Sequence, residues 1–208
     1  MAYARERLPL RVFGPLAATL ALAARAGAVP SPAPVFVLDT AVVLMILAQF
    51  RLWDDLADRH LDAIAHPERV LVQASSDVVF RVACAALAVL NVALLRIAYP
   101  NRAGIAMLGA LNIGMALWYA RRGSRSALGD HLLLAKYPAF VLIVACGRGI
   151  DRPILAACAA AAVYLAACLY EAIHDPDSPA ARHRRLVMCE AALLAAFASA
   201  AVAIGALS

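Results

Sequence analysis

The sequence predicts an all-α, polytopic membrane protein: a transmembrane helical bundle of about seven spans with a cytoplasmic N-terminus. First, 64% of the 208 residues are hydrophobic and the mean hydropathy is +0.78, whereas soluble domains are about half apolar. Second, aromatic residues make up only 7% of the chain; the apolar mass is therefore aliphatic, which favours closely packed helices over the strands of a barrel. Third, most basic residues fall in alternate connections between apolar segments.

The apolar segments each approach the length that a membrane helix needs. They cover about 10–28, 35–53, 77–95, 103–120, 132–148, 153–173 and 186–207, and the first is the weakest. Their connections are short, apart from residues 54–76. Because no repeat or low-complexity linker divides the chain, residues 1–208 are predicted to form a single domain.

The distribution of Lys and Arg predicts the orientation, because cytoplasmic connections are enriched in these residues. With the N-terminus inside, most of the 19 basic residues are cytoplasmic, Arg81 lies in the third span, and the outside holds only Arg25, Arg96, Arg102, Arg148 and Arg152. We therefore expect an integral protein of the bacterial inner membrane whose acidic connections face the cytoplasm. The basic residues form no dense patch, which argues against nucleic acid as a partner.

An aspartate-rich segment follows the second predicted span. On a helix, Asp55, Asp58 and Asp62 would share one face, because they are spaced i,i+3 and i,i+4. Such stacked carboxylates repel one another, and Mg²⁺ in proteins is commonly held by one or two carboxylates together with substrate phosphates. The segment thus predicts a Mg²⁺–diphosphate site. The alternative is a solvated helix whose acids pair with Arg51 and Arg59.

A second acidic pair and several basic residues extend this hypothesis. Glu171 and Asp175 are spaced i,i+4 after the sixth span, on the same predicted side of the membrane. Arg122 follows the fourth span, and Arg side chains bind phosphate oxygens bidentately. Lys136 is the only lysine and begins inside an apolar segment, where a charge is costly. The alternatives are an ordinary interfacial helix end and ordinary positive-inside anchoring.

These motifs resemble those of the UbiA superfamily of membrane prenyltransferases. The first motif of the family, Asn-Asp-x-x-Asp-x-x-x-Asp, is matched by Asp54-Asp55-Leu-Ala-Asp58-Arg-His-Leu-Asp62, and a following Pro-x-Arg by Pro67-Glu68-Arg69. The second motif, Asp-x-x-x-Asp after the sixth helix, is matched by Glu171 to Asp175. The Tyr and basic residues that follow the fourth helix are matched by Tyr119, Arg122 and Lys136.

The resemblance implies a Mg²⁺-dependent transferase that moves an isoprenyl group from an isoprenyl diphosphate to a small lipophilic acceptor, such as an aromatic quinone precursor. By the same resemblance, Asp55, Asp58 and Asp62 would bind one metal ion, and Glu171 and Asp175 a second; these five acids are also the catalytic candidates. The residues expected to bind the diphosphate are Arg69, Arg122, Lys136, Arg11 and Tyr119.

The sequence departs from the family in three places. Asp54 replaces the usual Asn, Glu171 replaces an Asp, and the chain ends after the seventh predicted span, where the family usually has two more helices. We therefore expect a cavity wall that is open, filled by membrane lipid, or completed by a second copy in a homo-oligomer.

Two other functions fit the sequence. A membrane terpene cyclase of the same superfamily would ionise the same diphosphate but let the cation close on its own double bonds. A non-catalytic membrane protein or divalent-cation transporter would instead use ionisable residues within the spans. The polar candidates there are Asp39, Gln49, Asp77, Arg81 and Asn91, and Asp77 is expected to pair with Arg81 at i,i+4.

Overall fold

A computed structural model describes residues 2–121, 127–174 and 184–206. These residues form α-helices and no strand, which confirms the all-α class. The helices are α1 (Ala2–Arg7), α2 (Leu10–Arg25), α3 (Ala33–Ala57), α4 (Arg59–Ala65), α5 (Val70–Gln73), α6 (Val78–Ala98), α7 (Ala103–Arg121), α8 (Ala127–Leu134), α9 (Lys136–Arg148), α10 (Pro153–His174) and α11 (Arg184–Ala206).

In the described part of the chain, five helical segments are long and apolar enough to cross a membrane, which is consistent with an integral membrane protein. They are Ala33–Ala57, Val78–Ala98, Ala103–Arg121, Gly129–Arg148 and Pro153–His174. The first and last predicted spans are also helical, but α2 has only 16 residues with Pro15 inside it, and α11 has a shorter apolar stretch, Val187–Ala196. Large exposed apolar side chains on α6, including Val79, Val89 and Ile97, suit contact with lipid.

The chain divides into two compact units, and the expectation of a single domain stays a prediction. Unit 1 comprises Met1–Ala21 and Pro32–Ala98. In this unit α3 packs along α6, and the core side of α3 carries Val42, Val43, Ile46 and Phe50 at helical spacing. Buried Asn91 of α6 donates hydrogen bonds to Gln49 Oε1 at 2.9 Å and to the Met45 carbonyl at 3.2 Å. Asn91 and Gln49, two of the polar residues predicted within the spans, thus bind each other and join α6 to α3.

Unit 2 comprises Leu22–Ser31 and Tyr99–Ser208. Here α9 packs against α7 and α10, and α10 also packs against α8 and α11. Small residues bring α7 and α9 close together, since a Cβ at Gly104 would lie 2.6 Å from the Ile143 carbonyl oxygen and 3.0 Å from Gly147 Cα. Such close approach is characteristic of helix pairs in membranes.

We predict that Gly104→Ala destabilises the protein, because the added methyl group would meet backbone atoms that cannot rotate away. Overpacking of this kind costs about 1–3 kcal/mol. Gly109→Ala in the same helix is the matched control: a Cβ there meets nothing within 4 Å. That substitution should leave stability unchanged or raise it by about 0.5–1 kcal/mol. Thermal unfolding of both purified variants in detergent checks the prediction, and equal melting temperatures would contradict it.

Candidate functional site

The aspartate-rich segment does not form the single uninterrupted helix that would place its three aspartates on one face. Helix α3 ends at Ala57, and Asp58 has φ −92° and ψ 2°, in the sparsely populated bridge region. Its N–H donates to the Asp54 carbonyl at 2.9 Å, while its own carbonyl accepts the N–H groups of Leu61 and Asp62, each at 2.9 Å. Asp58 is therefore the joint between α3 and α4.

Asp55 is the most enclosed acid of the segment, with 4% of its surface exposed. Arg7 donates to both carboxylate oxygens, from Nε at 2.8 Å and from Nη2 at 2.6 Å. The Tyr3 hydroxyl donates at 2.8 Å, and Arg51 Nη2 lies 3.3 Å from Oδ1. We call Tyr3, Arg7, Arg51 and Asp55 the Asp55 cluster. Its guanidinium groups compensate a charge that would be costly to bury alone.

Helix α1 supplies two members of this cluster. Tyr3 and Arg7 are four residues apart and so lie on the same side of the helix. The Tyr3 ring also packs edge-on against Phe80, with centroids 5.5 Å apart, and the Glu6 carboxylate accepts the Val70 N–H at 3.1 Å. The sequence analysis selected Arg11, which is exposed, and missed Tyr3 and Arg7. The i,i+4 spacing of Tyr3 and Arg7, which places both side chains on one side of a helix, is the sequence feature that could have identified them.

Two other acids of unit 1, Asp62 and Asp77, also form ion pairs with arginines. Arg69, predicted to bind diphosphate, forms an ion pair with Asp62. Arg81 Nη2 lies 2.8 Å from Asp77 Oδ2, which confirms the predicted i,i+4 pair. Arg51 pairs with Asp55, as the alternative interpretation of this segment predicted.

Arg59 forms hydrogen bonds with the residues that follow α4. It donates from Nε to the Leu71 carbonyl at 3.1 Å and from Nη2 to the Ala74 carbonyl at 2.7 Å. Its Nη1 also lies 3.9 Å from Asp77 Oδ2. Arg59 thus joins α4 to α5 and to the residues that follow α5.

The remaining predicted site residues belong to unit 2 or lie outside the described residues. Glu171 is half-buried on α10, and Tyr119 is half-buried on α7. Lys136 begins α9 and is buried, with 7% of its surface exposed. Arg122 and Asp175 lie outside the described residues.

The carboxylates of the aspartate-rich segment are the candidate ligands for Mg²⁺. Among residues 2–121, 127–174 and 184–206, no group of three or more His, Cys, Asp or Glu side chains is placed to hold a metal ion. The donor chemistry is nevertheless suitable, since Mg²⁺ is commonly held by one or two carboxylates and completes its shell with water and phosphate oxygens. Asp55 and Asp62 could take that role only if Arg7 and Arg69 moved to other acceptors.

The electrostatic environment fixes the protonation of the groups around Asp55. Burial, and then the negative charge of Asp55, raise the pKa of the Tyr3 hydroxyl well above its ordinary value of 10.0. The hydrogen bond to Asp55 raises the pKa of Arg7 as well. Outside the cluster, the hydrogen bond from Arg81 lowers the pKa of Asp77. Tyr3 is therefore a neutral donor and Arg7 a cation over the whole physiological range.

The described residues thus form an all-α fold with five helical segments of membrane-spanning length and a cluster of ion pairs where α3 ends. Comparisons with models of known protein families, with curated proteins and with solved structures find no match.

We predict that Tyr3 stays protonated while exposed tyrosines ionise. Folding raises the pKa of the Tyr3 hydroxyl above its unfolded value of about 10. The hydroxyl therefore contributes its full stabilisation below pH ~10, and this contribution is lost as the pH rises through the pKa of the folded state. An absorbance titration at 295 nm should therefore show the same tyrosinate amplitude up to pH ~10.5 for the wild-type protein and Tyr3→Phe. If the absorbance change near pH ~10 were smaller in Tyr3→Phe by the amplitude of one tyrosine, the prediction would be contradicted.

Proposed function

We propose that this chain is a magnesium-dependent membrane prenyltransferase of the UbiA type. It transfers an isoprenyl group from an isoprenyl diphosphate to a small lipophilic acceptor, and the apolar helices exclude water from the reaction. The observation that carries the proposal is the enclosed Asp55 carboxylate, bound by Arg7 and Arg51 at the end of a membrane-length helix and followed by Asp58 and Asp62. Charged residues at membrane depth are costly and commonly functional.

The ion pairs of unit 1 contain both kinds of group that a metal–diphosphate complex requires. Guanidinium forks match phosphate oxygens as well as they match carboxylates. Arg7 and Arg69 would therefore move from Asp55 and Asp62 to the diphosphate. The released carboxylates, together with Asp58, would hold Mg²⁺. An uncompensated buried charge would cost several kcal/mol. The exchange avoids this cost because each charged group only changes its partner.

Negative charge develops on the diphosphate as it leaves, so catalysis requires positively charged groups around it. When bound, Mg²⁺ would neutralise the charge that develops as the carbon–oxygen bond breaks. The arginines would do the same through preorganised hydrogen bonds. Glu171 and Asp175 are proposed as the second pair of metal ligands. Lys136, Arg122, Arg11 and Tyr119 are proposed as further groups that bind the diphosphate, and the burial of Lys136 supports its assignment.

The membrane arrangement is part of the same proposal. We place seven spans in the bacterial inner membrane, with the N-terminus and the active site on the cytoplasmic side. The basic residues near α1, α4 and α11 support this orientation. An isoprenyl tail would lie among the apolar helices while its diphosphate stays at the polar end of α3.

A non-catalytic role is the second candidate, because Asp55 and Asp62 already have guanidinium partners. In that case the ion pairs serve only to hold α1, α4 and α5 at the end of the α3–α6 pair. The two functions differ in whether Mg²⁺ and a diphosphate displace the arginines.

We predict that the purified protein consumes radiolabelled geranyl, farnesyl or geranylgeranyl diphosphate with Mg²⁺ and not with EDTA. Asp58→Asn should lower turnover by at least about 100-fold, because it removes a proposed ligand of the Mg²⁺ that would neutralise the developing charge. Asp77→Asn is the matched control, since it removes an acid of unit 1 that pairs with Arg81 outside the proposed site. It should keep nearly full activity.

The products and a binding measurement complete the test. Transfer to an added aromatic acceptor would indicate a prenyltransferase, and cyclic hydrocarbons would indicate a terpene cyclase. Calorimetry of a non-hydrolysable diphosphate analogue with Mg²⁺ measures binding without turnover. Neither turnover nor Mg²⁺-dependent binding would contradict the proposal and leave the non-catalytic role.

A further inference from the structure

Three connections of unit 2 are joined by backbone hydrogen bonds, at a place separate from the Asp55 cluster in the sequence. The Val29 N–H donates to the Gly149 carbonyl at 3.0 Å, and the Asp151 N–H donates to the Gly27 carbonyl at 3.0 Å. The Asn101 N–H donates to the Gly147 carbonyl at 3.1 Å. The loops after α2, before α7 and after α9 therefore form one hydrogen-bonded scaffold.

Two glycines allow these loops to pack in this way. Gly149 has φ +96°, a left-handed conformation that other residues rarely adopt. A Cβ at Gly27 would lie 2.4 Å from the backbone nitrogen of Ala156, so only glycine permits this approach. The local backbone is thus fixed by both conformation and packing.

The end of α2, the loop after it and the loop after α9 line an open cavity of about 270 Å³, which we call the junction pocket. Its polar lining consists of Arg25, Ser31, Asp151 and Arg152, and Val29 is among its apolar lining residues. Arg25 donates from Nη2 to the Ser31 carbonyl. Arg152 Nε lies 3.8 Å from Asp151 Oδ2, and both side chains are more than half exposed, so this ion pair is weak. Two cations and one anion therefore line the pocket.

A buried hydroxyl adds a donor to this positive lining. The Ser31 Oγ atom is buried and has no hydrogen-bond partner among the described residues. Buried polar atoms are normally satisfied, so such an atom in a cavity indicates a missing partner. An oxygen-rich anion would accept from the hydroxyl as well as from the guanidinium groups.

Exposed apolar side chains lie next to the polar lining. Val29 is 50% exposed, Ile150 is 41% exposed and Ile154 is 47% exposed. Val29 lines the pocket, and Ile150 directly precedes Asp151. A ligand that combines an anionic group with hydrocarbon would satisfy both surfaces.

We propose that the junction pocket binds the phosphate group of an anionic phospholipid, with the acyl chains against the exposed aliphatic residues. Arg forks are suited to phosphate geometry because they donate two parallel hydrogen bonds to phosphate oxygens. The site is independent of the proposed prenyl transfer. It would anchor unit 2 to a lipid rather than take part in a reaction.

Native mass spectrometry of the purified full-length protein tests this site. The detergent-solubilised protein is titrated with dioctanoyl phosphatidic acid and dioctanoyl phosphatidylglycerol, and with dioctanoylglycerol as the phosphate-free control. We expect both phospholipids to bind and dioctanoylglycerol not to bind. Arg25→Gln, Arg152→Gln and Ser31→Ala should each weaken phospholipid binding, the arginine variants by about tenfold or more, because hydrogen bonds to charged groups are the stronger ones.

Arg102→Gln is the matched control, since it removes the same charge from an exposed position of these connections without lining the pocket. It should keep wild-type affinity. If Arg25→Gln fails to fold, exposed Arg152 still provides the test. Competition by inorganic phosphate at the affinity of phosphatidic acid would support the anion pocket but reject the lipid as its source. Equal binding of dioctanoylglycerol, or unchanged affinity in all three variants, would overturn the proposal.

Discussion

The burial of one negative charge at the end of a membrane-length helix constrains most of unit 1. The Asp55 carboxylate is nearly inaccessible and needs cationic partners, because an uncompensated buried charge costs several kcal/mol. Arg51 comes from the same helix, but Arg7 and Tyr3 come from α1. These side-chain bonds therefore hold the N-terminal helix near the end of α3, and α1 also contacts Phe80 and Val70.

The same ion pairs determine what the site requires in order to function. With Arg7 on Asp55 and Arg69 on Asp62, both carboxylates are occupied by cations of the chain itself. A metal ion alone would have to displace Arg7 from Asp55 and Arg69 from Asp62, which would leave both guanidinium groups without an anionic partner. A metal–diphosphate complex offers both partners at once, so joint binding is favoured over binding of either component alone. On this account, Arg7 and Arg69 change partners during the proposed reaction.

The sequence predicted those features that depend on local physics. Hydropathy identified the membrane-length helices because a span must satisfy its own backbone hydrogen bonds, and i,i+4 spacing identified the Asp77–Arg81 pair. The interruption at Asp58 was missed because the acids were assumed to continue one helix. The Arg7–Asp55 pair was missed because 48 residues separate its members, and a single sequence does not reveal such contacts. Arg69 was identified as a site residue, but its partner in the structure is Asp62.

A double-mutant cycle on Arg7 and Asp55 tests the central interaction most directly. Arg7→Met, Asp55→Asn and the double variant would be compared with the wild-type protein by the free energy of unfolding in detergent. If Arg7 compensates the buried carboxylate, each single substitution destabilises, and the double variant loses less than the sum of the two. Coupling energies between groups in contact are about 0.5–3 kcal/mol, and this pair should lie in the upper half of that range. Additive effects within about 0.5 kcal/mol would show that the pair does not hold α1 in place.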